Sequence, residues 1–241
     1  MAATSNELFN DDAYLRCCRA RVLRHEAGVL VTDATVFYPL GGGQPGDSGW
    51  LVLDDGRRHA IDDTRRERES RQILHAVDPA LPALTPGSEV TLELDWDRRH
   101  RHMRMHTCLH LLSAVVRAGV TGGNLSDTGG RLDFDCGELV LDAQAIGAAL
   151  QRLVAADLPV HVRSMPGAEL AAQPELIRTM AVAPPLHLPL VRLIDIEGAD
   201  LQPCGGTHVA RTGEIGAVHV AKIESKGARN RRVVLRLGAP E

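Results

Sequence analysis

The chain has 241 residues, enough for one large domain or two modest ones with their own apolar cores. Apolar residues make up 44% and charged residues 24%, ordinary proportions for a globular protein. The formal charge of −4 excludes wholesale coating of nucleic acid but leaves room for a local basic patch.

No apolar run reaches the roughly 18 residues of a membrane-spanning helix. The acidic N-terminus lacks the basic-then-apolar order of a signal peptide, so the expectation is a cytoplasmic protein with no membrane partner. Cys17, Cys18, Cys108, Cys136 and Cys204 are odd in number and widely scattered, which points to reduced thiols rather than a disulfide framework.

Aromatic residues are only 3%, so the cores must rest on Leu, Val, Ile and Ala. In chain order, short strands are predicted at 29–31 (VLV), 36–38 (VFY), 50–53 (WLVL), 72–77 (QILHAV) and 89–94 (EVTLEL). Gly28, the run Gly41 to Gly43, Gly46, Gly49 and Asp54-Asp55-Gly56 punctuate them as turns. Residues 1–95 therefore read as a small β-barrel domain.

The character changes at Asp95-Trp96-Asp97, where a second domain, 96–241, begins. A helix is predicted from Arg98 to Ala118, stopped by Gly119. GVTGGNLSDTGG (119–130) reads as a loop and RLDFDCGELVL (131–141) as a strand. An amphipathic helix follows over 142–158, with Asp142 as N-cap. Then come a strand at 160–165, one or two short helices in 166–180, a strand at 191–198, the loop PCGGTHV and a closing hairpin of 217–227 and 231–238. The fold class is α+β: an N-terminal barrel followed by an α+β domain with an antiparallel sheet.

Two short segments carry metal-binding side chains. His106 and His110 stand four apart on the predicted helix, so both imidazoles reach the same side. Thr107 occupies the place where zinc proteases put a general-base Glu. Far downstream, Cys204 and His208 flank Gly205-Gly206-Thr207. Either pair alone is weak; together they offer three nitrogens and one sulfur, a set suited to tetrahedral Zn²⁺. Four protein ligands are the closed arrangement of a structural site, and the ligand count does not decide between a structural and a catalytic ion. Cys108, two residues from each histidine, points to the other side of the helix and reads as packing, as does Cys136.

The glycine-rich stretch TVFYPLGGGQPGDSG (35–49) has no Gly-Lys-Ser/Thr and no helix after it, so it is not a phosphate loop. It does not stand alone. TVFYPLGGGQPGD, HTCLHLL (106–112) and CGGTHV (204–209) followed by TGEIG occur in order. In this the chain closely resembles the AlaX alanyl-tRNA editing proteins, free-standing relatives of the editing domain of alanyl-tRNA synthetase, over nearly its whole length. The resemblance implies hydrolysis of the ester bond of tRNA(Ala) mischarged with serine, and extends to the glycine ester. It implies Zn²⁺ held by His106, His110, Cys204 and His208, and it puts Thr35 and Gln44 at positions the family associates with the editing pocket.

A hydroxyl such as that of Thr35 can read serine's Oγ, leaving an alanyl ester with an unpaired polar group. Lys222, Lys226, Arg229, Arg231 and Arg232 cluster around Gly227, and Arg98, Arg99, Arg101 and Arg104 open the metal-bearing helix. Both groups are expected to meet tRNA phosphates. The run RRERESR (65–71), offset by its own acids, reads as a solvated face. Two other functions fit the same residues: a zinc-stabilised tRNA-binding module without catalysis, and a metal-dependent hydrolase of small esters or amides.

Overall fold

The computed structural model, which describes residues 4–180 and 183–239, contains two compact units, one ending at Arg101 and the next beginning at His102. In the first unit six strands close into an antiparallel barrel. Their order is Cys17–Glu26, Val29–Thr32, Ile73–Val77, Arg58–Arg66, Gly49–Val52 and Glu89–Leu94. Val90, Leu92 and Leu94 alternate inward along the last strand and meet Val22, Leu30, Leu51, Ile61 and Val77 in one core.

Two of these strands, Cys17–Glu26 and Arg58–Arg66, were not predicted individually. The first buries only Ala20 and Val22, the second only Ile61 and Thr64, so their outward charges hide the apolar period. In the run read as a solvated face, Arg65, Arg68, Glu69 and Arg71 are exposed; Arg65 and Arg66 also end a barrel strand, and Arg66 donates to both carboxylate oxygens of Glu7 at 2.5 and 2.9 Å. The predicted strand at 36–38 is instead a short one, Ala34–Thr35, paired in parallel with Asn6–Glu7.

The glycine-rich stretch passes against backbone. A Cβ on Gly46 would lie 2.0 Å from the Thr64 carbonyl oxygen, and one on Gly49 would lie 2.1 Å from that of Glu93. Arg99 overturns its predicted role. It is fully buried, its guanidinium bonded to both oxygens of Asp47 and to the carbonyl of Val36, 2.7 Å away. A side chain enclosed in this way offers no cation to a nucleic acid.

The second unit contains two antiparallel sheets. One runs Val218–Ser225, Asn230–Leu237, Gly129–Asp135, Gly119–Ser126; the other runs Val160–Met165, Val191–Ile196, Asp200–Pro203. The predicted loop over 119–130 is thus mostly a strand and the turn of a hairpin. Its five glycines and few apolar residues conceal that, yet Val120 and Leu125 are buried. The predicted strand over 131–141 begins earlier and stops at Asp135, with Gly130, Leu132 and Phe134 turned inward.

The long helix spans Trp96–Val116 and ends at Arg117, which takes a left-handed φ of 52°, rather than at Gly119. Helix Ala143–Ala155 has the expected cap: the Asp142 carboxylate accepts from the amides of Gln144 and Ala145 at 2.8 and 3.2 Å. No helix among the described residues is long and apolar enough to cross a membrane.

Candidate metal centre

His106 and His110 lie one turn apart in the long helix, and Cys204 follows directly on strand Asp200–Pro203. The loop after Cys204 is held by Arg192, which donates to the carbonyls of Cys204 and Gly206 at 2.7 and 2.9 Å. Neither Gly205 nor Gly206 takes a left-handed φ. The loop's contribution is the amide of Gly206, which donates to Cys204 Sγ at 3.4 Å. His208 is thereby returned to the helix.

The four side chains sequence reading grouped do converge: one ligand atom from each of His106, His110, Cys204 and His208 lies within 4.8 Å of all the others. Cys204 Sγ is 3.5 Å from His106 Nε2 and 3.4 Å from His208 Nε2. Zinc–nitrogen and zinc–sulfur bonds of ordinary length in a tetrahedron predict an N···S edge of roughly 3.5 Å, so the donors fit the ion in chemistry and in spacing. All three rings are buried, His106 and His110 at 7% exposure and His208 at 6%.

The electrostatics at Cys204 and His208 suit a cation. Burial opposes ionisation of Cys204, but the neighbouring His106 and His208 and the ring hydrogen bonds of His106 and His110 hold its thiol well below the usual range. Burial, then the neighbouring His106, holds His208 well below the usual imidazole range, which keeps it a neutral donor. Burial also works against protonation of His110. The hydrogen bond to Asp200 and the nearby Cys204 outweigh it, raising the pKa to about 9. Cys108 shows the contrast: buried with no such partners, its thiol is pushed up to about 12, as befits packing.

Two polar neighbours of the tetrad were not predicted. The Asp200 carboxylate lies 3.1 Å from His110 Nδ1, and the Thr107 hydroxyl lies 3.1 Å from His208 Nδ1. Thr107 could have been suspected from its place between the histidines. Nothing in the spacing pointed to Asp200.

Thr35 and Gln44 belong to the barrel unit, and both side chains are fully buried. The Thr35 hydroxyl is 2.8 Å from His75 Nε2 and accepts from the Phe37 amide at 3.0 Å. Gln44 closes a tight turn with Gly41, their amides and carbonyls exchanging bonds of 2.9 and 3.1 Å.

The basic hairpin around Gly227 is interleaved with acids. Arg229 holds Asp135, Arg232 holds Asp133, and Lys222 and Lys226 both approach Glu224. Arg231 donates to the carbonyls of Gly227 and Asn230. Arg104 is likewise committed, to the carbonyl of Ile215 at 2.7 and 3.0 Å.

The described residues thus form a six-stranded barrel unit and an α+β unit in which three histidines and one cysteine come together. Residues 191–234 match the family described as threonyl and alanyl tRNA synthetase second additional domain, and residues 14–98 match tRNA synthetases class II (A). An alanyl-tRNA editing protein AlaX-M of Saccharolobus solfataricus is 33% identical, across 95% of this chain and 97% of its own. AlaX-M of Methanosarcina acetivorans is 33% identical across 94% and 96%. The alanine–tRNA ligase of Pyrobaculum calidifontis is 38% identical across 91% of this chain, which spans only 25% of that ligase. The chain belongs to the AlaX-M family of alanyl-tRNA editing proteins.

Proposed function

We propose that this protein is a zinc-dependent, trans-acting deacylase of mischarged tRNA(Ala), hydrolysing the seryl ester and, as a second substrate, the glycyl ester. The observation that carries the reading is the convergence of His106, His110, Cys204 and His208 in a chain aligned end to end with AlaX-M proteins. When bound, Zn²⁺ would supply positive charge to polarise an ester carbonyl or to lower the pKa of a water toward ~7. The chain's own part is to hold a thiolate and three buried imidazoles as donors around one point.

Selectivity is proposed for Thr35 and Gln44. A synthetase pocket shaped for alanine excludes serine poorly, because one added hydroxyl is weakly discriminated. A second protein can bond that hydroxyl and so turn the difference around. Lys222, Lys226, Arg229, Arg231 and Arg232 are proposed to meet tRNA phosphates. Their pairing with Asp133, Asp135 and Glu224 means that each contact would exchange one ion pair for another. The proposed setting is the cytoplasm.

The test is deacylation of seryl-, glycyl- and alanyl-tRNA(Ala) by zinc-loaded and metal-stripped protein. Release of serine, sparing of alanine and loss of activity on stripping are expected. Equal rates with and without zinc would remove the ion from the reaction. The full set of four protein ligands favours one second reading, a tRNA-binding module in which zinc is purely structural. Such a module would leave seryl-tRNA(Ala) charged at the rate of buffer.

A further inference from the structure

His110 and His208 each present Nε2 to the metal centre only if Nδ1 carries the ring hydrogen, and the structure supplies an acceptor at each Nδ1. For His110 it is Asp200 Oδ2, at 3.1 Å. This carboxylate is itself immobilised: Gln202 Nε2 donates to the same oxygen at 2.6 Å and to Ser113 Oγ at 2.7 Å. Its other oxygen faces the guanidinium of Arg178 at 3.3 Å, and Arg178 also donates to the Ser113 carbonyl at 3.0 Å. For His208 the acceptor is Thr107 Oγ1, at 3.1 Å, which also takes the amide hydrogen of Val209 at 3.3 Å. Both groups are inside the protein: the Asp200 side chain has no exposed surface and Thr107 is fully buried.

A buried carboxylate is costly to keep unless something needs its charge, and a threonine in a helix interior has no propensity advantage. We propose that Asp200 and Thr107 are positioning residues of the metal centre, each fixing the tautomer and ring direction of one histidine so that Nε2 is the ligand atom. Thr107 then accounts for the residue between the helix histidines. It stands where a metalloprotease has its general base, and its hydroxyl turns to the fourth ligand's ring instead. The two supports are unequal. A carboxylate raises the basicity of its imidazole more than a hydroxyl does, so Asp200 carries the larger share.

The inference rests on the zinc reading above, and its test reads affinity rather than turnover. Zinc alone is the probe, its dissociation constant measured by competition with a chromophoric chelator. The visible spectrum of the cobalt(II)-loaded protein reports the ligand field. Asp200→Asn is expected to weaken zinc roughly 10- to 100-fold and to shift the cobalt bands. Thr107→Val is expected to weaken it less, and Thr107→Ser, which keeps the hydroxyl, to restore the unaltered value. Thr107→Val changes neither shape nor charge, so it decides the matter even where Asp200→Asn does not fold. Folded variants with unchanged zinc affinity and cobalt spectra would overturn the inference and leave the zinc reading standing. Failure of the unaltered protein to take up zinc would overturn both.

Discussion

Thr35 donates its hydroxyl hydrogen to Nε2 of His75, 2.8 Å away, because the other ring nitrogen of that histidine is committed to the Leu30 carbonyl at 3.1 Å. Burial holds the ring neutral, its pKa pushed down to about 4, so Nε2 is the acceptor. With the Phe37 amide already donating to it, Thr35 can serve a further partner only as an acceptor. That polarity matches a serine hydroxyl, which donates.

The expected consequence is that Thr35→Val narrows the preference for seryl- over alanyl-tRNA(Ala). The loss of one hydrogen bond corresponds to about 1–3 kcal/mol in the ratio of kcat/KM values. Thr35→Ser, which keeps the hydroxyl, should hold most of the preference. A Val variant that discriminates as well as the unaltered protein would mean the serine hydroxyl is read by another group.

His75 also makes the barrel unit sensitive to acid. Its ring takes up a proton at about 4 in the folded chain, against an ordinary value of 6.5. Between these values the unfolded chain binds more protons, so folding stability is complete above pH 6.5 and falls as the pH drops toward 4. The full loss is about 3 kcal/mol. Urea midpoints for the protein and for His75→Gln, compared at pH 7 and pH 4.5, should show a smaller drop in the variant. Parallel drops would place the acid sensitivity elsewhere.

Arg99 was expected to be a surface cation and instead forms a buried ion pair with Asp47, with side-chain exposures of 0% and 1%. Arg99→Ala leaves the Asp47 carboxylate enclosed without its partner, which should cost about 3–5 kcal/mol of unfolding free energy. A change in urea unfolding under about 1 kcal/mol, the range of an exposed pair, would contradict the burial.

What the sequence made legible follows from what each feature depends on. The tetrad was readable because ligand chemistry restricts residue types and a helix fixes the spacing of His106 and His110. Period-two strands such as Glu89–Leu94 were readable because one face meets an apolar core. Strand Gly119–Ser126 was not, since its pairing is backbone chemistry and its glycines resemble a turn. Arg99 and Asp200 were opaque for a different reason. A charge is assigned to the surface unless its partner is known, and their partners, Asp47 and His110, lie 52 and 90 residues away in sequence.

Gly46 is required by space rather than by conformational freedom. An alanine there places Cβ 2.0 Å from a strand carbonyl, so the barrel must open at that point. Gly46→Ala should cost more than about 3 kcal/mol or abolish soluble expression. Gly56 is the control: its φ is +81° but no atom would meet a Cβ within 4 Å, so Gly56→Ala should cost only about 1 kcal/mol. Equal costs at the two positions, read from thermal or urea unfolding, would contradict the close approach at Gly46.

The chemistry of Cys204 can be checked without tRNA. The imidazoles around it favour the thiolate, whereas burial alone pushes Cys108 up to about 12. Thiolate is the reactive form, so in metal-free protein at neutral pH iodoacetamide should label Cys204 faster than Cys108. Added zinc should suppress labelling of Cys204, since a bound thiolate is a poor nucleophile, and leave the exposed Cys17 unaffected. His106→Ala should abolish that protection, lose zinc, and lose deacylation of seryl-tRNA(Ala) in step, because three remaining donors leave one face of the ion open to exchange. Peptide mass spectrometry gives the labelling at each cysteine. Cys204 reacting at the same rate with and without zinc would show that its sulfur is not a ligand, and full deacylation by zinc-free His106→Ala would separate the metal from the reaction.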